Sequence, residues 1–528
     1  MKRRTAIAAI TSGVSGAALL AAKFIQPYIK DIFTGHQATS ANGIKSNPIT
    51  IENALPGTTD WMIPAGKEAT VEIQAYVGTR SAAPGQTLTF YVSTQRADTS
   101  YTLNIYRLGW YQGKGGRLMT SIHNLVGQEQ GYYNERTFEL VNSPSTHVDT
   151  TTRLVEANWR PSYTLAIPSN WTTGVYLAKF IDAYGMQTYT KFVVRGNPTA
   201  PYVLVTPDAT DAAYNNWGGY SLYASNSKNG NPATKVSLDR PSMQNQGSDY
   251  VLIYEINSIR WFEQQGYNLS YISNLDMHAN NSLLLQHKAY ISLGHDEYWT
   301  KEMRDGVENA RNQGIGLAFL AANASYWQVR LEPSTSGVPN RTVVCYKVLS
   351  EQNDLEHDPL YGHQNDLVTT QWRDPLLNRP ENTMIGIMYS NYNDNQRSYA
   401  WQVDASANST FLRGTGLIAG QIFNNGIVGY EWDKIFNNGQ TPKSLQVIAT
   451  SPTVTSDGQP DVSHTTYYVA PSGSLVFASG SNYWTSALDD YRYGTHLHWT
   501  NGAKTVSAIQ KLMSNVMDAL IASRFMGQ

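Results

Sequence analysis

The chain has one cysteine, Cys345, in 528 residues. That excludes an intrachain disulfide and any zinc site built on several thiolates. Charge is also scarce, at 15% of residues, and the formal net charge of -2 gives no electrostatic case for nucleic acid or an anionic membrane. The chain contains no GxSxG, no HExxH and no phosphate-binding GxxxxGK[ST] loop, so three common catalytic signatures are missing. A Ser-His-Asp triad stays open, because its members need not be close in sequence. Beyond residue 25 no apolar run approaches the ~20 residues needed to cross a bilayer. Cys345 lies in RTVVCYKV, a strand-like run that predicts a buried small hydrophobe rather than a nucleophile.

Aromatic residues are plentiful, with 34 Tyr and 13 Trp. Together with many Asn, Ser, Thr and Gly they suit an exported, β-rich protein, and equally a carbohydrate-binding one. The N-terminus, MKRRTAIAAITSGVSGAALLAAKF, places Lys2, Arg3 and Arg4 before a mild Ala-rich stretch. That is an export pattern, either a cleaved signal or an anchor, and the paired arginines fit a twin-arginine route. The expected location is periplasmic, extracellular or membrane-anchored, with membrane contact only through this leader.

Residues 1–30 therefore read as leader and 31–50 as a small, polar linker. Residues 51–198 show no helical period. They alternate polar and apolar residues in runs such as Thr87–Ser93, Tyr101–Tyr106, Gly174–Ile181 and Thr188–Arg195, which predicts an antiparallel, immunoglobulin-like β-sandwich. After Pro198–Pro201 the texture changes to strands alternating with helices, an α/β pattern through 199–528. The fold class is thus α+β and multidomain.

The densest chemistry lies in YISLGHDEYWTKEMRDGVENARNQGIGLAFLAA, residues 290–322. Ala289–Leu293 reads as a buried strand, Thr300 as a helix N-cap, and Gly314 as the helix stop. Between strand and helix stand His295, Asp296 and Glu297, at the carboxyl end of a strand, where open α/β sheets bind ligands. Three ionisable groups there are costly to bury without a metal, a partner or water. Glu297 or Asp296 can ligate a metal, act as a base, or only cap the helix. Asp208–Tyr223, DATDAAYNNWGGYSLY, follows another strand and should line the same crevice with Tyr214, Tyr220, Tyr223, Asn215 and Asn216, unless it is an ordered loop with packed tyrosines. Tyr176 and Lys179 sit on the sandwich strand WTTGVYLAKF, where Tyr176 reads as packing. Glu356-His357-Asp358 reads as solvated.

Several segments together resemble the family of the N,N-dimethylformamidase large (beta) subunit. They are IYRLGWYQGKGGRL (105–118), WTTGVYLAKF (171–180), AYNNWGGYSLY (213–223), VSLDRP (236–241), GHDEYWTKEMRD (294–305), LAFLAANASYWQVRLE (317–332), VCYK (344–347) and TTQWRDP (369–375). The resemblance implies a β-sandwich followed by a domain like the class I glutamine amidotransferases, of flavodoxin-like type. The elbow that would carry their cysteine here holds His295-Asp296-Glu297. The resemblance also implies a mononuclear ferric iron, Fe(III), held by two tyrosines and a glutamate. Carried over by motif, these are Tyr176, Tyr214 and Glu297, with Tyr223 as a substitute tyrosine. His295, Asp296 or Asn216 would then position water or a leaving amine.

The function this implies is hydrolysis of a C–N amide bond by an exported, metal-dependent amidohydrolase, on a small-molecule or polymer substrate. The alternative is a cell-envelope protein that binds a glycan or polymer with a degenerate site. An oligomer is compatible with either.

Overall fold

The computed structural model describes residues 46–393, 398–407, 409–492 and 505–522. The expected leader and nearly all of the linker lie outside the described residues.

The chain is α+β. In its first part, two mainly antiparallel sheets face each other across one apolar core. A three-stranded sheet orders Ile73–Val77, Thr87–Thr94 and Tyr163–Ala166. A five-stranded sheet orders Ser81–Ala82, Gln187–Val194, Gly174–Asp182, Ser100–Leu108 and Gly116–Val126. Their alternation sends Phe90, Leu103, Ile105, Phe180 and Phe192 inward, where each is fully buried.

The second part is built on a seven-stranded sheet, ordered Leu269–Ser273, Tyr202–Thr206, Ala289–Ser292, Gly316–Phe319, Leu475–Ala478, Pro460–Val469 and Gln446–Val454. The first five strands are parallel, and Pro460–Val469 runs antiparallel to both of its neighbours. Both faces are covered. Tyr202 and Leu204 enter one core with the helices Ile256–Gln264 and Ser507–Ala522, while Val203 and Val205 enter another with the helix Lys301–Asn312. Strands buried on two faces explain the near-continuous apolar runs YVLV and AYIS. The chain leaves Tyr202–Thr206, pairs next on one side and then crosses to Ala289–Ser292 on the other. The direction of winding therefore reverses between these two strands, which opens a crevice at their carboxyl ends.

Local signals hold around this crevice. Thr300 caps the Lys301–Asn312 helix, with its hydroxyl accepting from the Met303 amide. Gly314 follows the helix at φ +85°, a conformation that favours glycine. Two details differ from the sequence reading. Asp208–Tyr214 is helical rather than loop. Asp358 is buried, bonded to Arg330 and to the amide of Thr369, while His357 stays exposed.

The two parts are joined by buried ion pairs. Arg107, on a strand of the five-stranded sheet, forks onto Glu263 at 2.7 and 2.9 Å. Arg80 meets Asp249 at 2.7 Å, and Lys191 meets Asp211 at 2.5 Å, Asp208 at 3.3 Å and Glu255 at 3.7 Å. Among the described residues, Asp208, Asp211 and Asp249 are the three carboxylates close enough together to hold a metal ion. The Lys191 ammonium already supplies a cation against the first two.

Candidate active site

Four adjacent parallel strands deliver side chains to the crevice. The helix after Tyr202–Thr206 ends on Tyr214, and the loop beyond it brings Tyr223 back. Gly218 makes this return possible. Its φ is +81°, and a Cβ there would stand 2.5 Å from Val155. The strand Ala289–Ser292 leads to His295 and Glu297, Gly316–Phe319 leads to Asn323, and Leu475–Ala478 leads to Asn482. Glu431 comes from the short strand Glu431–Lys434, and Lys347 opens the helix Lys347–Glu351.

Three of these groups converge on one carboxylate oxygen. Glu297 Oε2 accepts from the Tyr214 hydroxyl at 2.7 Å and from the Tyr223 hydroxyl at 2.9 Å, with His295 Nε2 at 3.2 Å. His295 Nε2 is also 3.2 Å from the Tyr214 hydroxyl. The Tyr214 and Tyr223 rings stack, with centroids 4.2 Å apart. Lys347 Nζ lies 3.6 Å from the centre of the Tyr223 ring and 3.9 Å from Glu297 Oε1. On the other side of the imidazole, His295 Nδ1 is 3.5 Å from Glu431 Oε2, which Asn482 Nδ2 holds at 2.9 Å.

The electrostatics follow from this packing. Burial alone would push Glu297 up, but Lys347, His295 and the Tyr214 hydroxyl hold it below its ordinary value, so it is ionised at neutral pH. Burial disfavours the charged imidazole, yet the Glu431 and Glu297 carboxylates overcome it and raise His295 to about 9. Burial and the Glu297 charge raise both phenols, Tyr214 and Tyr223. A cleft with a depressed carboxylate, a raised histidine and two raised phenols has the mark of a functional site.

The sequence-derived residues divide. Tyr214, Glu297 and His295 are brought together. Tyr176 is not. It lies in the core between the two facing sheets, its ring stacked on Trp171 and Phe192, with its hydroxyl donating to the Thr172 carbonyl at 2.5 Å. Tyr223, the substitute, stands on Glu297 instead. Asp296 turns under the strand, accepting from Ser292 Oγ at 2.9 Å with Asn274 Nδ2 at 3.5 Å, and burial raises it to about 7. Asn216 donates to the Asn226 carbonyl at 3.0 Å, and Asn226 in turn donates to the Tyr214 carbonyl, so Asn216 supports the tyrosine loop without touching Glu297. Cys345 is fully buried and its thiol is pushed up by burial, as its strand-like context predicts.

Reading the sequence alone missed Tyr298, Lys347, Asn323, Glu431 and Asn482. Three of them lie in segments that carry the family resemblance: Tyr298 in GHDEYW, Asn323 in LAANASYW and Lys347 in VCYK. Glu431 and Asn482 lie in none, and no local signal marks them.

The donor set fits a metal. Two phenols and a carboxylate are hard oxygen ligands suited to a hard, oxidised ion. Oxygens bound to one ion at about 2 Å and at roughly right to tetrahedral angles stand about 2.8–3.3 Å apart. The separations of 2.7 and 2.9 Å from Glu297 Oε2 are close to that spacing.

Two half-buried phenols thus meet a buried carboxylate at the carboxyl ends of a parallel sheet. The chain belongs to the family described as N,N-dimethylformamidase beta subunit-like, C-terminal, whose model matches residues 102–498. No curated protein matches it. Among solved structures, the sporulation control protein Spo0M of Bacillus subtilis is similar at 9% identity and a TM-score of 0.15, covering 25% of this chain and 51% of that one. A Paenibacillus cycloisomaltooligosaccharide glucanotransferase is similar at 12% identity and a TM-score of 0.14, covering 54% and 35%. This chain thus spans about half the length of the first and about a third of the second, and neither likeness bears on the site.

Proposed function

We propose that this chain is a metal-dependent hydrolase that cleaves a C–N amide bond, with Tyr214, Tyr223 and Glu297 holding one ferric ion. The observation that carries the reading is the convergence of both phenols on Glu297 Oε2 within 2.9 Å. A bound ferric ion would act as a Lewis acid on an amide carbonyl.

The remaining chemistry belongs to the chain's own residues. His295 Nε2 stands beside the cluster, 3.2 Å from Glu297 Oε2, where a proton it carries can pass to a leaving amine nitrogen. Glu431 Oε2 lies 3.5 Å from Nδ1, a carboxylate that favours the protonated imidazole, and Asn482 fixes Glu431 in turn. Tyr214 and Tyr223 are half-buried, and their hydroxyls rest on the buried Glu297. Glu297 and His295 are almost wholly buried, which keeps bulk water from screening their charges.

In the same reading the first part of the chain is an immunoglobulin-like sandwich and the second a glutamine-amidotransferase-like domain. Residues 1–30 direct export by the twin-arginine route, as cleaved signal or anchor. The family description favours a small linear amide over a polymer as substrate.

Elemental analysis with a visible spectrum on the same purified sample tests this. The expected result is about one iron per chain and a tyrosinate-to-iron band, both lost in Glu297→Ala, with hydrolysis of linear amides. A folded, colourless protein that takes up no iron on reconstitution refutes the reading and favours the envelope-binding alternative.

A further inference from the structure

Tyr298 follows Glu297 directly, on the short strand Tyr298–Thr300, and the proposed mechanism gives it no role. Its hydroxyl lies 2.6 Å from the Tyr223 hydroxyl and 2.9 Å from Lys347 Nζ. Its ring stands edge-on to both Tyr214 and Tyr223, at 84° and 82°.

The direction of these hydrogen bonds is forced by chemistry. An ammonium has three donors and no acceptor, so Lys347 donates and the Tyr298 oxygen accepts. The Tyr298 proton then has the Tyr223 oxygen as its partner. Tyr223 in turn has its own proton for Glu297 Oε2, 2.9 Å away. A one-way chain results, from Lys347 through Tyr298 and Tyr223 to Glu297. Lys347 is pinned at its head by the faces of Tyr223 at 3.6 Å and Trp327 at 5.1 Å. Behind Tyr214 stands a different group, the His295 imidazole, with Nε2 3.2 Å from its hydroxyl and Glu431 on the ring's far side. The Tyr214 hydroxyl also neighbours Glu297.

We infer that Tyr298 is a positioning residue that gives the Tyr223 oxygen a fixed hydrogen bond and so makes the two phenols of the cluster unequal as ligands. The inference rests on the metal reading above and adds an asymmetry to it. When Tyr223 surrenders its own proton to bind a cation, the proton donated by Tyr298 remains. That bond draws electron density from the phenolate oxygen and lowers its donor orbital, in the way outer hydrogen bonds tune metal ligands elsewhere. Tyr223 is thereby tuned by a phenol and Tyr214 by an imidazole.

The test compares iron-loaded full-length wild type, Tyr298→Phe and Lys347→Met by visible spectrum and iron content. Tyr298→Phe keeps the ring and removes only the hydroxyl. The expected result is retained iron with the tyrosinate-to-iron band moved to longer wavelength, because the Tyr223 orbital rises when its donor is gone. Lys347→Met is expected to move the band in the same direction by less, since Tyr298 keeps its proton but loses the ammonium that aligns it. A wild-type band that Tyr298→Phe leaves in place overturns the inference alone. A wild type with no band overturns the metal reading and this inference with it. If Tyr298→Phe does not fold, Lys347→Met decides by the same criterion.

Discussion

Replacing Lys191 by Met removes the cation on which the contact between the two parts of the chain turns. The ammonium sits 2.5 Å from Asp211, 3.3 Å from Asp208 and 3.7 Å from Glu255, and all four side chains are sealed from water. With Arg80 and Asp249 the cluster holds two cations against four carboxylates. Methionine keeps the length of the stem, so the packing loss is small and the charge loss dominates. Removing one partner of a buried ion pair costs about 3–5 kcal/mol, and that is the expected loss of unfolding free energy at pH 8.

The same variant should recover as the pH falls. Burial and neighbouring carboxylates already raise Asp211 to about 7, and burial raises Glu255 well above its ordinary value. Without Lys191 both rise further. A carboxyl raised in the folded state binds its proton more tightly there than in the unfolded chain. Stability therefore increases as pH falls through the folded value and is lost as pH rises through it. The wild type takes up the same proton below about 7, so the variant's extra proton acts over about one pH unit and returns about 1.4 kcal/mol, and the deficit at pH 5.5 should be smaller than that at pH 8 by about this amount. Guanidinium unfolding followed by tryptophan fluorescence, at both pH values, measures it. The double variant Lys191→Met/Asp211→Asn should regain more than half of the loss at pH 8. A loss below about 1 kcal/mol, or one equal at the two pH values, would refute the argument.

Tyr223→Phe should lose tightly bound iron, whereas Tyr176→Phe should keep the iron and lower stability by about 1 kcal/mol, the worth of its bond to Thr172; iron content and melting separate the two. Burial raises Asp433 to about 7 while its Oδ1 accepts from the Asn323 amide. Its contribution to stability is complete below pH 4 and gone above pH 7. Asp433→Asn should accordingly gain up to about 4 kcal/mol on the wild type between pH 4 and 8, read by denaturant melts across that range. Gly294 has φ +60°, and a Cβ there would stand 2.8 Å from Glu255 Cγ. Gly294→Ala should cost about 1–3 kcal/mol and misplace His295, so its kcat should fall more than its melting point accounts for.

The sequence determined the local architecture because local rules are written in adjacent residues. The period-two runs gave strands at Thr87–Thr94, Ser100–Leu108 and Gly174–Asp182. Thr300 and Gly314 bounded a helix, and the doubly buried YVLV and AYIS marked a parallel sheet. That placed His295 and Glu297 at strand ends, and with them the crevice. Glu297 and Tyr214 were legible because each stands in the segment that follows such a strand.

Tertiary structure alone decided who meets Glu297. Tyr176 matches a family segment, but its strand faces the core between the two sheets, so its hydroxyl ends on its own neighbour's carbonyl. Tyr223 arrives through a glycine-bent return whose end point depends on Val155, a residue of the other part of the chain. Glu431 comes 134 positions after Glu297, and Lys347 comes 50 after it. Their approach is set by how the sheet twists and how the last strands close on it. A strand's pattern records which face is buried. It does not record which distant side chain will share that burial, and the charges and hydrogen-bond directions of this site come from that sharing.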